Sequence, residues 1–110
     1  MKKIFMFFIL IFNFNFTLAE EIFQEKYIFE TVILDVQKAK TYNLGEEQYK
    51  ALKVDKKIMK KIGADGELFS MVDSTNKKSI VKLGDYIVSP SNLSYIYVVD
   101  KESFSNLFNK

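Results

Sequence analysis

Residues 66–100, GELFSMVDSTNKKSIVKLGDYIVSPSNLSYIYVVD, decide the fold. Short apolar runs alternate there with clusters of Asp, Ser, Thr, Asn, Gly and Pro, the pattern of strands joined by tight turns. Glu67–Val72 reads as one strand and Asp73–Lys77 as a polar turn. Ser79–Leu83 and Asp85–Val88 read as a second strand kinked at Gly84, Pro90–Asn92 as a turn, and Ser94–Val99 as a third strand. A small antiparallel meander is expected. Asp100 then has the chemistry of an N-cap, with Glu102 in the first turn and Phe104, Leu107 and Phe108 spaced along one stripe. This predicts a terminal helix of about two turns.

Upstream, Tyr27–Val36 is rich in β-branched and aromatic residues, and its even positions Ile28, Val32, Leu34 and Val36 form an apolar face. It reads as a strand. Thr41–Gly45 reads as a polar turn region, and Glu46-Glu47 open a Lys-rich stretch that ends at Ile62-Gly63. Acids first, lysines last and a glycine beyond agree with a helix dipole and a glycine C-cap. On a helical wheel Lys53, Lys56, Lys57, Lys60 and Lys61 share one side, and Ala51, Leu52, Val54, Ile58, Met59 and Ile62 the other. Asp55 falls in the middle of the apolar side. Either it is a partly buried carboxylate with a partner, or the helix breaks there and Asp55 caps a second helix from Lys56. The cost of burying an unpaired carboxylate favours the break. The expected class is therefore α+β: a small sheet, one amphipathic Lys-rich helix and a short C-terminal helix.

The chain opens on Met1, Lys2 and Lys3, an unbroken apolar run from Ile4 to Phe12, and Thr17 and Ala19 as small residues before Glu20-Glu21. This is the pattern of a secretory signal peptide at residues 1–19, and the run is short for a span of roughly 20 apolar residues. A secreted or periplasmic product is expected, with an uncleaved membrane anchor as the alternative. Residues 20–110 form a single small domain of 91 residues, without internal repeat or linker. Two of the sixteen lysines leave with the signal and all fourteen acids stay, so this domain is balanced in charge. Such balance provides no overall field toward nucleic acid, and none is expected as a partner. Arg is absent, which removes bidentate capture of phosphate. Cys is absent too, so no disulfide staples the domain and it depends on its apolar core.

Lys82-Leu83-Gly84-Asp85-Tyr86-Ile87-Val88, followed by Ser94-Tyr95-Ile96-Tyr97 and then Phe104 and Phe108, resembles the end of a family of small bacterial and phage proteins named for a Pro-Gly-Asp-Tyr-Gly (PGDYG) motif. Leu83 stands in place of the proline and Ile87 in place of the final glycine, so Gly84, Asp85 and Tyr86 carry the match. The resemblance covers residues 66–110 and, more weakly, 28–37; it implies a small α+β fold and no particular activity. Read from the residues alone, the same turn is structural. Gly84 tolerates a positive φ, Asp85 can accept hydrogen bonds from the turn's backbone amides, and Tyr86 re-enters the sheet.

Without His or Cys, imidazole bases, thiolate nucleophiles and the usual transition-metal sites are excluded. Asp65, Glu67, Asp73 and Asp85 remain as acid–base candidates, and no spacing selects a pair among them. Ala64-Asp65-Gly66-Glu67 lacks the alternating acids of a calcium loop, and the scattered glycines form no phosphate cradle. No catalytic, metal or cofactor-binding residue is therefore expected, and no cofactor. The expected activity is non-enzymatic binding of an envelope protein or anionic polymer, with Lys53, Lys56, Lys57, Lys60 and Lys61 as the candidate face. Periodicity alone also explains that face as the solvated side of a helix. Tyr95-Ile96-Tyr97 is a second candidate platform, although a half-buried strand alternates in the same way. Two alternatives stand beside this reading. One is a membrane-tethered accessory subunit with residues 4–19 retained, and the other a carboxylate-dependent hydrolase using Asp65, Glu67 or Asp85.

Overall fold

The structure, a computed structural model, describes residues 21–108, and the expected signal at residues 1–19 lies outside them. Within that range the chain is α+β. In order come β1 (Ile22–Gln24), α1 (Glu25–Gln37), β2 (Lys40–Leu44), β3 (Glu47–Lys53), α2 (Lys56–Ile62), β4 (Leu68–Val72), β5 (Lys78–Lys82), β6 (Tyr86–Pro90), β7 (Tyr97–Val99) and α3 (Lys101–Phe108). The strands expected as one meander divide at Gly84 into two sheets, ordered β1-β4-β5 and β2-β3-β6-β7. Every pairing is antiparallel except β1 with β4, where Ile22, Phe23 and Gln24 lie opposite Ser70, Met71 and Val72.

Three expectations are corrected upstream of β4. Tyr27–Val36 is helix, not strand: Ile28, Val32 and Val36 recur every fourth residue and are fully buried, while Leu34 points outward at 66% exposure. Thr41–Gly45 is mostly β2 rather than a turn, and the first half of the expected Lys-rich helix is β3. Gly45, at φ 64°, opens the two-residue hairpin loop that sets Tyr42 opposite Tyr49 and Lys40 opposite Ala51. The break at Asp55 is present. Its Oδ1 accepts from the Ile58 amide at 2.9 Å, starting α2, and Gly63 ends that helix in the left-handed region.

Helices α1 and α2 fill the space between the sheets. Ile28, Val32 and Val36 pack with Ile58, Met59 and Ile62 of α2, with Phe69, Met71 and Val81 of the three-stranded sheet, and with Ile87 of the four-stranded one. The other face of the four-stranded sheet carries a second cluster. There α3 lays Phe104 and Phe108 over Ala51, Val88, Tyr42, Tyr49, Tyr86, Tyr97 and Val99. Phe104 stacks on Tyr86 with ring centroids 3.7 Å apart and meets Tyr42 edge-on at 5.0 Å. The four-stranded sheet is thus covered on both faces.

Gly84, Asp85 and Tyr86 form the joint between the sheets. Gly84 holds φ 98°, its amide donates to the Val54 carbonyl, and the Val54 amide donates to the Asp85 carbonyl, both at 2.8 Å. The Asp85 carboxylate, 3% exposed, accepts from the Lys82 amide at 2.9 Å and from the Lys101 amide at 3.2 Å. One side chain therefore ties the end of β5 to the start of α3. Asp100 completes that start as the expected cap, its Oδ1 accepting from the Ser103 amide at 2.7 Å.

The Ser103 amide, followed by its hydroxyl, holds the Asp100 carboxyl below the usual aspartate range. A carboxyl with a lowered folded pKa adds stability that is complete above the unfolded value of about 3.9 and is lost as pH falls through the folded value. The urea midpoint is accordingly expected to drop as pH falls below about 4, and Asp100→Asn is expected to flatten that part of the profile. An unchanged profile in the variant would remove Asp100 as a source of the acid sensitivity.

Candidate functional site

A groove runs where the two sheets part. The N-terminal turn of α1 supplies Gln24, Glu25, Lys26 and Phe29, and β4 with its following turn supplies Val72, Asp73, Ser74 and Lys77. The segment leading into β7 supplies Ser94, Tyr95 and Ile96, and β7 itself Tyr97 and Val98. Two hollows make up the groove. One, of about 390 Å³, is walled by Phe29, Val72, Tyr95 and Ile96; the other, of about 270 Å³, by Met71, Asp73, Lys77, Ser79 and Tyr97. Glu25 lines both. β7 forms an edge of its sheet, so a strand edge borders the polar hollow.

Local chemistry explains why these groups converge. Asp73 folds its own turn, Oδ1 accepting from the Thr75 hydroxyl at 2.7 Å and from the Thr75 and Lys77 amides at 2.9 Å each. Asn76 in that turn takes φ 66°, a conformation Asn tolerates. Next to Ser94 of the opposite wall, Leu93 closes the turn from Pro90 and holds φ 59°, which costs a residue with a Cβ about 1–2 kcal/mol. Its neighbour Ser94 is pinned by the Asn92 side chain, which accepts from the Ser94 amide and hydroxyl. Strain of this kind beside a groove wall is a mark of functional segments.

The electrostatics are uneven. Burial first, and the negative charge of Asp73 second, push the Glu25 carboxyl up from its ordinary value. Asp73 moves the opposite way, held down first by the Thr75 hydroxyl and then by the Lys77 amide. The Tyr97 phenol is raised by burial and by the neighbouring Tyr49 and Tyr95. Glu25 thus stands at the boundary between an apolar and a polar chamber, with Lys26 and Lys77 among the residues that line it.

Four of the five candidate lysines stay together on α2, and all five are exposed. Lys53 lies on β3, opposite Tyr86, and only Lys56, Lys57, Lys60 and Lys61 share α2. Lys61 pairs with Asp35 of α1 at 2.7 Å. Lys56 and Lys60 line a separate hollow of about 420 Å³ together with Asp65 and Glu67, which makes that surface mixed in charge. The Asp65 and Gly66 amides there are taken by the Glu21 carboxylate, at 2.9 Å and 3.4 Å. Asp85 is enclosed in the joint at 3% exposure, its carboxylate taken by the Lys82 and Lys101 amides. Tyr95 and Tyr97, the candidate platform, do reach the groove, as does Asp73. Glu25 and Phe29 are the residues that sequence reading missed: they face the groove only because residues 25–37 are helical.

Among the described residues no group of three or more His, Cys, Asp or Glu is placed to hold a metal ion, and no helix is long and apolar enough to cross a membrane. Comparison of the chain with protein-family models, curated proteins and solved structures finds no match.

Proposed function

We propose that this chain is an exported, non-enzymatic binding domain that holds an extended peptide segment of an envelope protein in the groove at Glu25. The observation that carries the reading is the placement of Glu25 between an apolar chamber and a polar one, beside the edge of β7. An exposed strand edge offers main-chain partners to an extended peptide, and a flanking apolar hollow accepts alternate side chains. The export half of the proposal rests on the signal-like N-terminus. It is supported by β1 beginning at Ile22, three residues past Ala19, so that a chain starting at Glu20 keeps every described element. In this reading the Gly84-Asp85-Tyr86 turn, with its resemblance to the Pro-Gly-Asp-Tyr-Gly family, serves the fold and not the ligand.

The test is a titration of the isotope-labelled protein with extended peptides of envelope proteins. Amide shifts are expected at residues 24–29, 73–77 and 95–98, and Tyr95→Ala is expected to weaken binding about tenfold or more, as removal of an aromatic anchor does. Lys57→Ala and Lys60→Ala should leave affinity unchanged. Should the lysine variants abolish binding of an anionic polymer while Tyr95→Ala has no effect, the α2 surface replaces the groove.

A second reading has one specific observation in its favour. Neighbouring carboxyls pushed in opposite directions, as Glu25 and Asp73 are, is the arrangement by which hydrolases divide acid and base roles. Turnover of a glycan or cell-wall substrate that Glu25→Gln and Asp73→Asn each abolish, with the fold intact, would establish a carboxylate-dependent hydrolase in place of the binding domain.

A further inference from the structure

We propose that the Asp65-Gly66 pair is a site of spontaneous isoaspartate formation, and that the Glu21 carboxylate guards it for as long as β1 stays clasped to the domain. Three of the four glycines are explained by their backbone, since Gly45, Gly63 and Gly84 hold φ of 64°, 101° and 98°. Gly66 has no such reason to be glycine. Its φ lies outside the left-handed region, and a Cβ built there would meet nothing closer than the Leu68 carbonyl oxygen at 3.9 Å, an ordinary contact. The fold therefore makes no demand for glycine directly after Asp65. What the missing side chain does supply is an unhindered amide nitrogen beside a carboxyl group.

The aspartate is placed for that reaction as well. The carboxylates of Asp55, Asp73, Asp85 and Asp100 each accept from a backbone amide, and Asp35 pairs with Lys61. Among the described residues the Asp65 carboxylate has no such partner, and Asp65 and Gly66 are both exposed in the loop between α2 and β4. The Gly66 nitrogen attacks Asp65 Cγ: a C–N bond forms, the C–OH bond of the carboxyl breaks, and the amide proton leaves with that hydroxyl as water. Water then opens the five-membered imide, and opening at the main-chain carbonyl leaves a backbone that runs through Cγ and is one methylene longer. Glu21 opposes the first step. Its carboxylate accepts from the Asp65 amide at 2.9 and 3.1 Å and from the Gly66 amide at 3.4 Å, and its carbonyl accepts from the Ser70 amide at 2.8 Å. A negative charge against the Gly66 N–H disfavours the deprotonated nitrogen that attacks, and the paired bonds resist the rotation that ring closure needs. Isomerisation therefore waits on release of Glu21. Once it has occurred, the lengthened backbone no longer presents both amides to one carboxylate, so the reaction is a lasting record of β1 having opened.

The test incubates the full chain for weeks at neutral pH, measures isoaspartate by methyltransferase labelling and reads its position by electron-transfer fragmentation. Isoaspartate is expected at Asp65, preceded by a species one water lighter. Gly66→Ala, which the space at that position admits, should leave the circular dichroism unchanged and reduce the product at Asp65 to the level found at Asp73. Glu21→Ala is expected to raise the rate at Asp65 about tenfold, the equivalent of one charge-assisted hydrogen bond, and Glu21→Gln, which keeps an acceptor without the charge, by less. The purified isomer should exchange its Ser70 amide hydrogen faster than the parent chain; equal exchange would overturn the link to β1. Absence of isoaspartate at Asp65, or an unchanged yield in Gly66→Ala, overturns the site. An unchanged rate in both Glu21 variants overturns the guard, as does an equal rise at Asp73, which would mark general unfolding.

Discussion

Replacing Asp85 with alanine is expected to cost about 3–5 kcal/mol and to release α3 from the sheet. Two amides, those of Lys82 and Lys101, donate to this carboxylate in a site where it is 3% exposed, and each buried group left without a partner costs about 1–3 kcal/mol. A domain of this size has about 5–10 kcal/mol in total, so the variant sits near its unfolding midpoint. Asp85→Asn keeps one acceptor oxygen and should cost less, about 1–2 kcal/mol. Urea unfolding of the three proteins checks the order, and hydrogen exchange at the Phe104 amide, which donates to the Asp100 carbonyl, checks whether α3 loosens first. Equal stability of Asp85→Ala and the parent chain would remove the carboxylate as the joint between β5 and α3.

Phe104→Ala carries the other large effect, about 3–5 kcal/mol for the emptied volume and the lost ring contacts. Phe104 is the buried residue of α3 and meets Tyr42, Tyr86 and Phe108, so no other side chain of that helix can replace its contacts. At roughly 4–8 °C per kcal/mol for a domain near 90 residues, the melting temperature should fall by about 15 °C or more. Phe108→Ala, on a half-buried ring, should fall less. If both variants melt alike, α3 is held by its ends rather than by its aromatic stripe.

The C-terminal half of the fold was legible because its signals are local. The turn at Asp73, the positive φ at Gly84 and the cap at Asp100 each belong to one or two residues with a single favoured use. The N-terminal half misleads for a definite reason. Ile28, Val32 and Val36 are spaced by four, a number that satisfies both the helical period and strand alternation, and the β-branched composition tips the choice to strand. Leu34 separates the two readings: a strand would bury it beside Val32, and the helix leaves it in water. Likewise Ala51 and Leu52 at the end of β3, and Val54 just past it, continue the apolar phase of α2, so one wheel spans two elements. Only Asp55 marked the seam. The groove was less legible than the fold. Tyr95, Tyr97 and Asp73 were visible as candidates, but their meeting with Glu25 depends on bringing the start of α1 against β4 and β7, a long-range contact that no local spacing encodes.

The parallel pairing of β1 with β4 has a kinetic consequence. Among the described residues the first strand of the domain pairs only with β4, so it waits for Ser70 and its neighbours, and β3, already joined to β2 in a hairpin, gains its second neighbour only when β6 arrives. Contacts between such distant segments form late and slowly, because a long loop must close before any of them is rewarded. The chain would therefore stay pliable until most of its length is available, its local hairpins β2–β3 and β4–β5 closing ahead of the clasp between β1 and β4.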